Sequence, residues 1–149
     1  FLGPGDHDIA EFLDFRIVGK GSRVQVGPLG LEFSTTAHPV PTLCVRIEAG
    51  ERTLTYSADT GPEGGLSALA EGTDLLLCEA TYQGASEAKP WPHHLTAGEA
   101  GSIARSTGAS QLMLTHIWPT LDPSRSVVEA EETFGRPVAL AVPGMSVKV

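Results

Sequence analysis

The sequence has 149 residues, of which 41% are hydrophobic and 19% charged, and this is typical of one globular domain or part of one. Its formal net charge of −8 argues against non-specific binding to nucleic acid, which depends on neutralising phosphates. No apolar run reaches the roughly 18 residues of a membrane span, and no signal-peptide pattern opens the chain. We therefore expect a cytoplasmic protein without a membrane partner, for which nucleic acid is a disfavoured but open ligand.

The first residues predict a loop at residues 3–5, followed by a short helix at residues 9–15. Asp6, His7 and Asp8 resemble metal ligands, but no second histidine lies at close spacing. We interpret them as the polar N-terminus of that helix.

From Arg23 onwards, apolar and polar residues alternate with the period of half-buried strands. The pattern predicts a meander of consecutive antiparallel strands. Pro39 and Pro41 interrupt the alternation directly after His38, so His38 is expected at a strand end. The alternating runs lie at residues 24–26, 29–33, 43–47 and 53–56.

The sequence then favours alternating helices and strands. A first helix is predicted to begin at Pro62, and a capping box formed by Thr96 and Glu99 begins a second. Asp122 and Pro123 have the character of an N-cap and a first helical position, so they predict a third helix. Further strands are predicted at residues 75–78, 112–114, 138–142 and 145–149.

The two cysteines, Cys44 and Cys78, lie in apolar strand-like runs, with no CxxC motif and no spacing typical of a disulfide framework. We predict two buried free thiols.

Four polar residues fall at the ends of these elements and could carry chemistry. Asp59 lies in a turn after one strand, His38 and His116 follow two others, and His94 precedes the second helix. Open sheets place ligands at strand ends, and imidazole and carboxylate groups suit Zn²⁺, Mn²⁺ or Fe. For each residue alone, an ordinary polar or capping role remains the alternative.

His94 and Glu79 could act together beside such a centre. A helix N-terminus attracts anions, so His94 could hold a phosphate oxygen or protonate a leaving alkoxide. Glu79 could orient a ligand or His94, or could simply pair with a surface base.

Four short segments follow one another along the chain in a distinctive order. They are Ser57-Ala58-Asp59-Thr60-Gly61, Cys78-Glu79-Ala80-Thr81, His94-Leu95-Thr96-Ala97 with Ala100-Gly101, and Leu114-Thr115-His116. This order resembles that of the metallo-β-lactamase superfamily, above all its ribonuclease Z-like branch, which includes bacterial cyclic-nucleotide phosphodiesterases. Ala37-His38-Pro39 fits the ligand histidine that precedes the aspartate, and the resemblance extends from His38 to about Pro123.

The resemblance implies an α/β fold in which residues 1–149 form the C-terminal part of an αββα metallo-β-lactamase sandwich. It implies that His38 binds one of two divalent metal ions, that Asp59 bridges both and that His116 binds the other. Zn is the expected metal, with Mn or Fe as alternatives. His94 would act on the transition state, supported by Glu79.

One motif of that family is absent from this sequence. The His-x-His-x-Asp-His cluster, which would supply most of the ligands, does not occur. We expect it upstream of Phe1, and we expect the chain alone to be inactive and to hold metal poorly.

The resulting hypothesis is a phosphodiesterase that hydrolyses a small, cyclic nucleotide-like diester with a hydroxide activated by two metals. The alternatives are a ribonuclease Z-type tRNA nuclease and a hydrolase of another ester or a thioester. A metal-free binding or oligomerisation module is the alternative from another class, and a homodimer also remains open.

Overall fold

The structure is a computed structural model that describes residues 13–149. Within this range, strands pair in sequence order to form one sheet. The strands are β1 (Arg23–Val26), β2 (Leu29–Thr35), β3 (Leu43–Ala49), β4 (Arg52–Tyr56), β5 (Leu75–Glu79), β6 (Gln111–Thr115) and β7 (Val138–Leu140). The helices are α1 (Leu66–Leu69), α2 (Ala97–Ser106) and α3 (Pro123–Phe134), with a short 3-10 helix at Ser86–Ala88.

The sheet changes direction at β4. Strands β1 to β4 pair antiparallel, which confirms the predicted meander, whereas β4 to β7 pair parallel. The parallel strands are connected through α1, α2 and α3, as the right-handed crossovers of α/β folds are. Thr96 and Glu99 form the predicted capping box, and Asp122 caps α3 with Pro123 in its first turn. The predicted α/β fold class is therefore confirmed.

The three helices cover one face of the sheet. Side chains of that face pack with the helices into the core, which includes Cys44, Leu76, Cys78, Leu112, Leu114, Val138, Leu66, Leu69, Ile103, Ala104, Ala130 and Phe134. Both cysteines are buried free thiols, as predicted. Register places a second apolar row on the opposite face, where most members are only half-buried. This row is Leu31, Phe33, Val45, Ile47, Leu54, Tyr56, Leu75, Leu77 and Met113.

Three predicted elements differ from the structure, one of them only in that β7 ends at Leu140 and not at residue 142. The first helix begins at Leu66 and not at Pro62, because Gly64 and Gly65 disfavour a helix and the Gly65 N–H bonds instead to the Thr35 carbonyl at 2.8 Å. Residues 145–149 form no strand, since the chain turns away through Gly144, whose φ is +82°.

The predicted N-terminal helix at residues 9–15 lies mostly outside the described residues, and its last three positions are irregular. Asp6, His7 and Asp8 also lie outside the described range. Each helix in residues 13–149 lacks the length and apolar character needed to cross a lipid bilayer.

Candidate metal centre

The polar residues singled out from the sequence lie at one edge of the sheet. Strand β2 runs parallel to β4, because two antiparallel pairings relate them, so the carboxyl ends of β2, β4, β5 and β6 share that edge. His38, Asp59 and His116 follow β2, β4 and β6, and Glu79 is the last residue of β5. This is the edge at which open parallel sheets bind ligands.

The side chains form two overlapping groups of ligand atoms. Single atoms of His38, Asp59 and His94 lie within 4.8 Å of one another, and so do single atoms of Glu79, His94 and His116. The ring centroid of His94 is 5.3 Å from that of His38 and 5.5 Å from that of His116. Asp59 Oδ1 is 3.6 Å from His116 Nδ1. His94 therefore lies at the centre of a cluster of all five residues.

Glu79 is the buried anchor of this cluster. Its side chain is 1% exposed, and both carboxylate oxygens accept hydrogen bonds, as a buried carboxylate requires. Oxygen Oε1 accepts from the Thr60 N–H at 2.7 Å and from His94 Nδ1 at 2.9 Å. Oxygen Oε2 accepts from the Thr81 hydroxyl at 2.7 Å and, at longer range, from the N–H groups of Thr81 and Leu95. The carboxylate thus joins the end of β5 to the turn after β4 and to the segment before α2.

The ring of His94 has a defined orientation as a result. A carboxylate can only accept, so Nδ1 carries the proton and Nε2 is left for the open side of the cluster. The His94 carbonyl accepts from Lys89 Nζ at 2.9 Å, and the same ammonium group is 2.7 Å from Glu99, the capping residue of α2. His94 is therefore fixed through both its ring and its backbone.

Asp59 owes its position to a tight turn. Ala58 adopts φ +50°, a left-handed conformation that is uncommon for residues other than glycine. Gly61 donates to the Ala37 carbonyl at 3.0 Å, and a Cβ atom at Gly61 would overlap the carbonyl oxygen of Pro92. The turn is packed between the segments that carry His38 and His94, and this packing requires glycine.

A cavity of about 530 Å³ opens beside His38. Pro39, Pro62 and Pro92 form apolar parts of its wall, and Lys89 and His93 contribute polar groups. His93 is half-buried beside this cavity. The space is adjacent to the cluster and large enough for a small organic ligand.

The donor set fits divalent metal ions. Imidazole nitrogens and carboxylate oxygens converge, which suits Zn²⁺, Mn²⁺ or Fe. Burial and the negative charges of Asp59 and Glu79 raise the pKa of Tyr56 at the same edge. A local field of this sign favours a cation.

Sequence reasoning assigned no role to two residues of the site. Thr81 lies in one of the segments that carry the resemblance, but nothing in the sequence shows that its hydroxyl reaches His116 Nδ1 at 2.9 Å. Lys89 lies in an irregular segment, and its contacts with His94 and Glu99 arise only from the tertiary fold.

A family model described as "Beta-lactamase superfamily domain" matches residues 5–117. The probable metallo-hydrolase YhfI of Bacillus subtilis is 32% identical over an alignment of 134 positions that covers 78% of this chain and 54% of that protein. The crystal structure of YhfI, described as a metallo-beta-lactamase fold protein, superposes with a TM-score of 0.77 and 30% identity, covering 83% of this chain and 50% of that one.

Two further relatives are similar at the sequence level. An uncharacterised protein of Mycobacterium leprae is 34% identical over 92% of this chain and 48% of its own length. A ribonuclease Z of Halobacterium salinarum is 45% identical over 77% of this chain and 37% of its own length. The chain therefore spans about half the length, or less, of the curated relatives it matches.

Proposed function

We propose that the full-length protein is a metal-dependent hydrolase of a small phosphodiester. The premise is that this chain belongs to the beta-lactamase superfamily. The preferred substrate type is a cyclic nucleotide. One observation carries the proposal: the His94–Glu79 pair, with Nδ1 and Oε1 2.9 Å apart, lies beside the converging side chains of His38, Asp59 and His116. Hydrolysis of a phosphodiester can use metal ions that activate water and an oriented imidazole that transfers a proton, and this site has side chains suited to both.

These residues are proposed to bind two divalent metal ions. His38 would hold one ion, His116 the other, and Asp59 would bridge both. Zn²⁺, Mn²⁺ or Fe in these places would lower the pKa of water and neutralise phosphate oxygens. The role of the chain is to hold these ligands at fixed separations along one edge of the sheet.

His94 is proposed to act on the phosphoryl group. Its Nε2 faces the side of the cluster that Glu79 does not occupy. When Nε2 is protonated, the imidazolium can donate that proton to the leaving alkoxide or hydrogen-bond to a non-bridging oxygen. Glu79 keeps the proton on Nδ1 and stabilises the imidazolium if Nε2 is protonated as well. The N-terminus of α2 begins two residues after His94 and adds a favourable field for an anion.

The small size of the substrate is inferred from three features. The tight β3–β4 hairpin leaves no long arm between His38 and Asp59 to grip a large substrate. The adjoining cavity of about 530 Å³ matches a nucleotide better than a folded RNA. The formal net charge of −8 opposes binding of a long polyanion.

A ribonuclease Z-type nuclease is the second candidate, and the 45% identity to a protein of that name favours it. A hydrolase of another ester or a thioester would use the same cluster. A metal-free binding or oligomerisation module is the candidate from another class.

The test compares two histidine variants of the full-length protein. Elemental analysis should find about two equivalents of metal, and bis-p-nitrophenyl phosphate and cyclic nucleotides should be hydrolysed. His116→Ala should lose metal, whereas His94→Ala should lose turnover and keep metal. Metal-free protein that is fully active would overturn the proposal, and activity towards thioesters alone or pre-tRNA alone would select the corresponding alternative.

A further inference from the structure

The buried hydroxyl of Thr81 connects two residues of the cluster. Thr81 Oγ1 is 2.7 Å from Glu79 Oε2 and 2.9 Å from His116 Nδ1, and the residue is 1% exposed. We propose that Thr81 is a positioning residue: it transmits the orientation imposed by Glu79 to His116 and selects the imidazole tautomer that can bind metal. The proposal rests on the proposed function in one respect, that His116 is a metal ligand.

The proton count of the hydroxyl fixes the direction of both bonds. A threonine hydroxyl has one proton and two lone pairs, and an ionised carboxylate can only accept. Thr81 therefore donates to Glu79 and accepts the proton of His116 Nδ1. His116 Nε2 then carries the free lone pair, which is the form in which imidazole binds a metal.

His94 does not compete for the same lone pair on equal terms. Its Nδ1 is 3.3 Å from the Thr81 oxygen but only 2.9 Å from Glu79 Oε1. The proton of His94 accordingly goes to Glu79 directly, whereas that of His116 goes to Thr81. One buried carboxylate, that of Glu79, thus orients both rings: it contacts His94 directly and reaches His116 through the Thr81 hydroxyl.

His116 needs such support more than the other ring does. Its side chain is 48% exposed, so packing alone does not fix the ring, whereas that of His94 is 10% exposed. Its backbone adopts φ +56°, the left-handed conformation, and its carbonyl oxygen also lies 3.2 Å from the Thr81 hydroxyl. Removing the hydroxyl should therefore release His116 and leave His94 in place.

The experiment uses the full-length protein with Thr81→Val, which keeps the shape and removes the hydroxyl, and Thr81→Ser, which restores it. Thr55→Val is the matched control, because Thr55 is also fully buried and its hydroxyl donates to that of Thr73, which lies just before β5 and away from the cluster. Zinc affinity is measured by chelator competition. The ring tautomers of the metal-free protein are read from ¹⁵N NMR at a pH where neutral imidazole dominates.

We expect wild-type His116 to carry its proton on Nδ1. Thr81→Val should lose this preference and bind the weaker zinc equivalent about 10- to 100-fold less tightly, the usual cost of removing a partner of a ligating histidine. Thr81→Ser should restore both properties, and Thr55→Val should leave both unchanged. The tautomer of His94 should be the same in every variant.

The inference alone would be overturned by wild-type His116 with its proton on Nε2, or by wild-type zinc affinity in Thr81→Val. Failure of Thr81→Ser to restore zinc binding would do the same, because it would assign the effect to the methyl group. If Thr81→Val does not fold, the wild-type tautomer and the serine variant decide the question. Absence of zinc binding by the wild-type protein would instead defeat the proposed function, and this inference with it.

Discussion

The candidate centre has two layers that are fixed by different means. The inner layer, Glu79, Thr81 and His94, is buried and held by hydrogen bonds between side chains and to backbone N–H groups. In the outer layer, the side chains of Asp59 and His116 are 37% and 48% exposed. The left-handed backbone conformations at Ala58 and His116 set the direction in which these side chains leave the backbone.

This difference in burial shows that the inner layer fixes the orientation of the site's side chains. The inner layer satisfies its polar groups within the chain, whereas the outer layer leaves donor atoms open to a ligand. We infer that changes to the inner layer lower the free energy of unfolding. Changes to the outer layer should lower metal binding and leave the stability of the metal-free protein nearly intact.

Glu79→Gln should have the largest effect. The amide cannot accept at both positions, so the Thr60 N–H, His94 and Thr81 compete for fewer acceptor sites in a buried place. We expect the free energy of unfolding in urea to fall by about 3 kcal/mol and turnover to fall with it. The matched control is Glu132→Gln, an exposed position of α3, where we expect a change below about 0.5 kcal/mol. Equal effects at the two positions would contradict the division into layers.

Lys89→Met should have an intermediate effect. The Lys89 side chain is 7% exposed, and its ammonium group bonds to the His94 carbonyl at 2.9 Å and pairs with Glu99. The variant therefore leaves the Glu99 carboxylate, whose side chain is 15% exposed, without its partner. We expect a loss of about 2 kcal/mol at neutral pH, measured by urea unfolding. Arg125→Met is the control: it breaks a pair with Glu129 in which the arginine side chain is 60% exposed, and its effect should be about 0.5 kcal/mol or less.

The loss in Lys89→Met should also depend on pH. Burial raises the pKa of Glu99, but hydrogen bonds from Lys89 and the Thr96 N–H outweigh it, so the net pKa is lowered. A carboxyl group with a lowered folded-state pKa stabilises the fold above its unfolded pKa of about 4.3, and the stabilisation is lost as the pH falls through the folded value. The difference between wild type and Lys89→Met should therefore shrink in acid, and a difference that grows in acid would contradict this assignment.

Asp59→Asn should change the stability of metal-free protein little, because the side chain is partly exposed. We expect a shift within about 0.5 kcal/mol. Metal content measured by elemental analysis should nevertheless drop, because a neutral amide replaces the carboxylate that we propose to bridge the ions. Retention of full metal content in a folded variant would remove Asp59 from the proposed ligands.

The smallest effect concerns the thiol next to the inner layer. Burial strongly raises the pKa of Cys78, and the charge of Glu79 adds to it, so almost no thiolate is present at neutral pH. A thiol reagent should label Cys78 of the full-length protein only after denaturation, with no loss of activity before then. Rapid labelling of the folded protein would show that this part of the chain is open.

Much of the fold could be predicted because it depends on local signals. The alternation in the meander, the capping box of Thr96 and Glu99 and the Asp122–Pro123 helix start are all readable from neighbouring residues. The start of α1 was predicted too early. The Gly64-Gly65 pair is a local signal against a helix before Leu66, but the bond that holds Gly65 runs to Thr35, which is remote in sequence.

The site was predictable in its residue types but not in its bonding. Strand-end positions indicated His38, Asp59 and His116, because carboxyl ends of parallel strands share an edge. The contacts of Thr81 and Lys89 depend on which side chains the fold places nearby, and a hydroxyl or an ammonium group has no sequence pattern that reveals its partner.

Anomalous diffraction from crystals of the metal-loaded full-length protein tests the central claim most directly. We predict two metal peaks at this edge of the sheet, one in contact with His38, one with His116, and both with Asp59. Bound metal located elsewhere, with these three side chains free of it, would contradict the account.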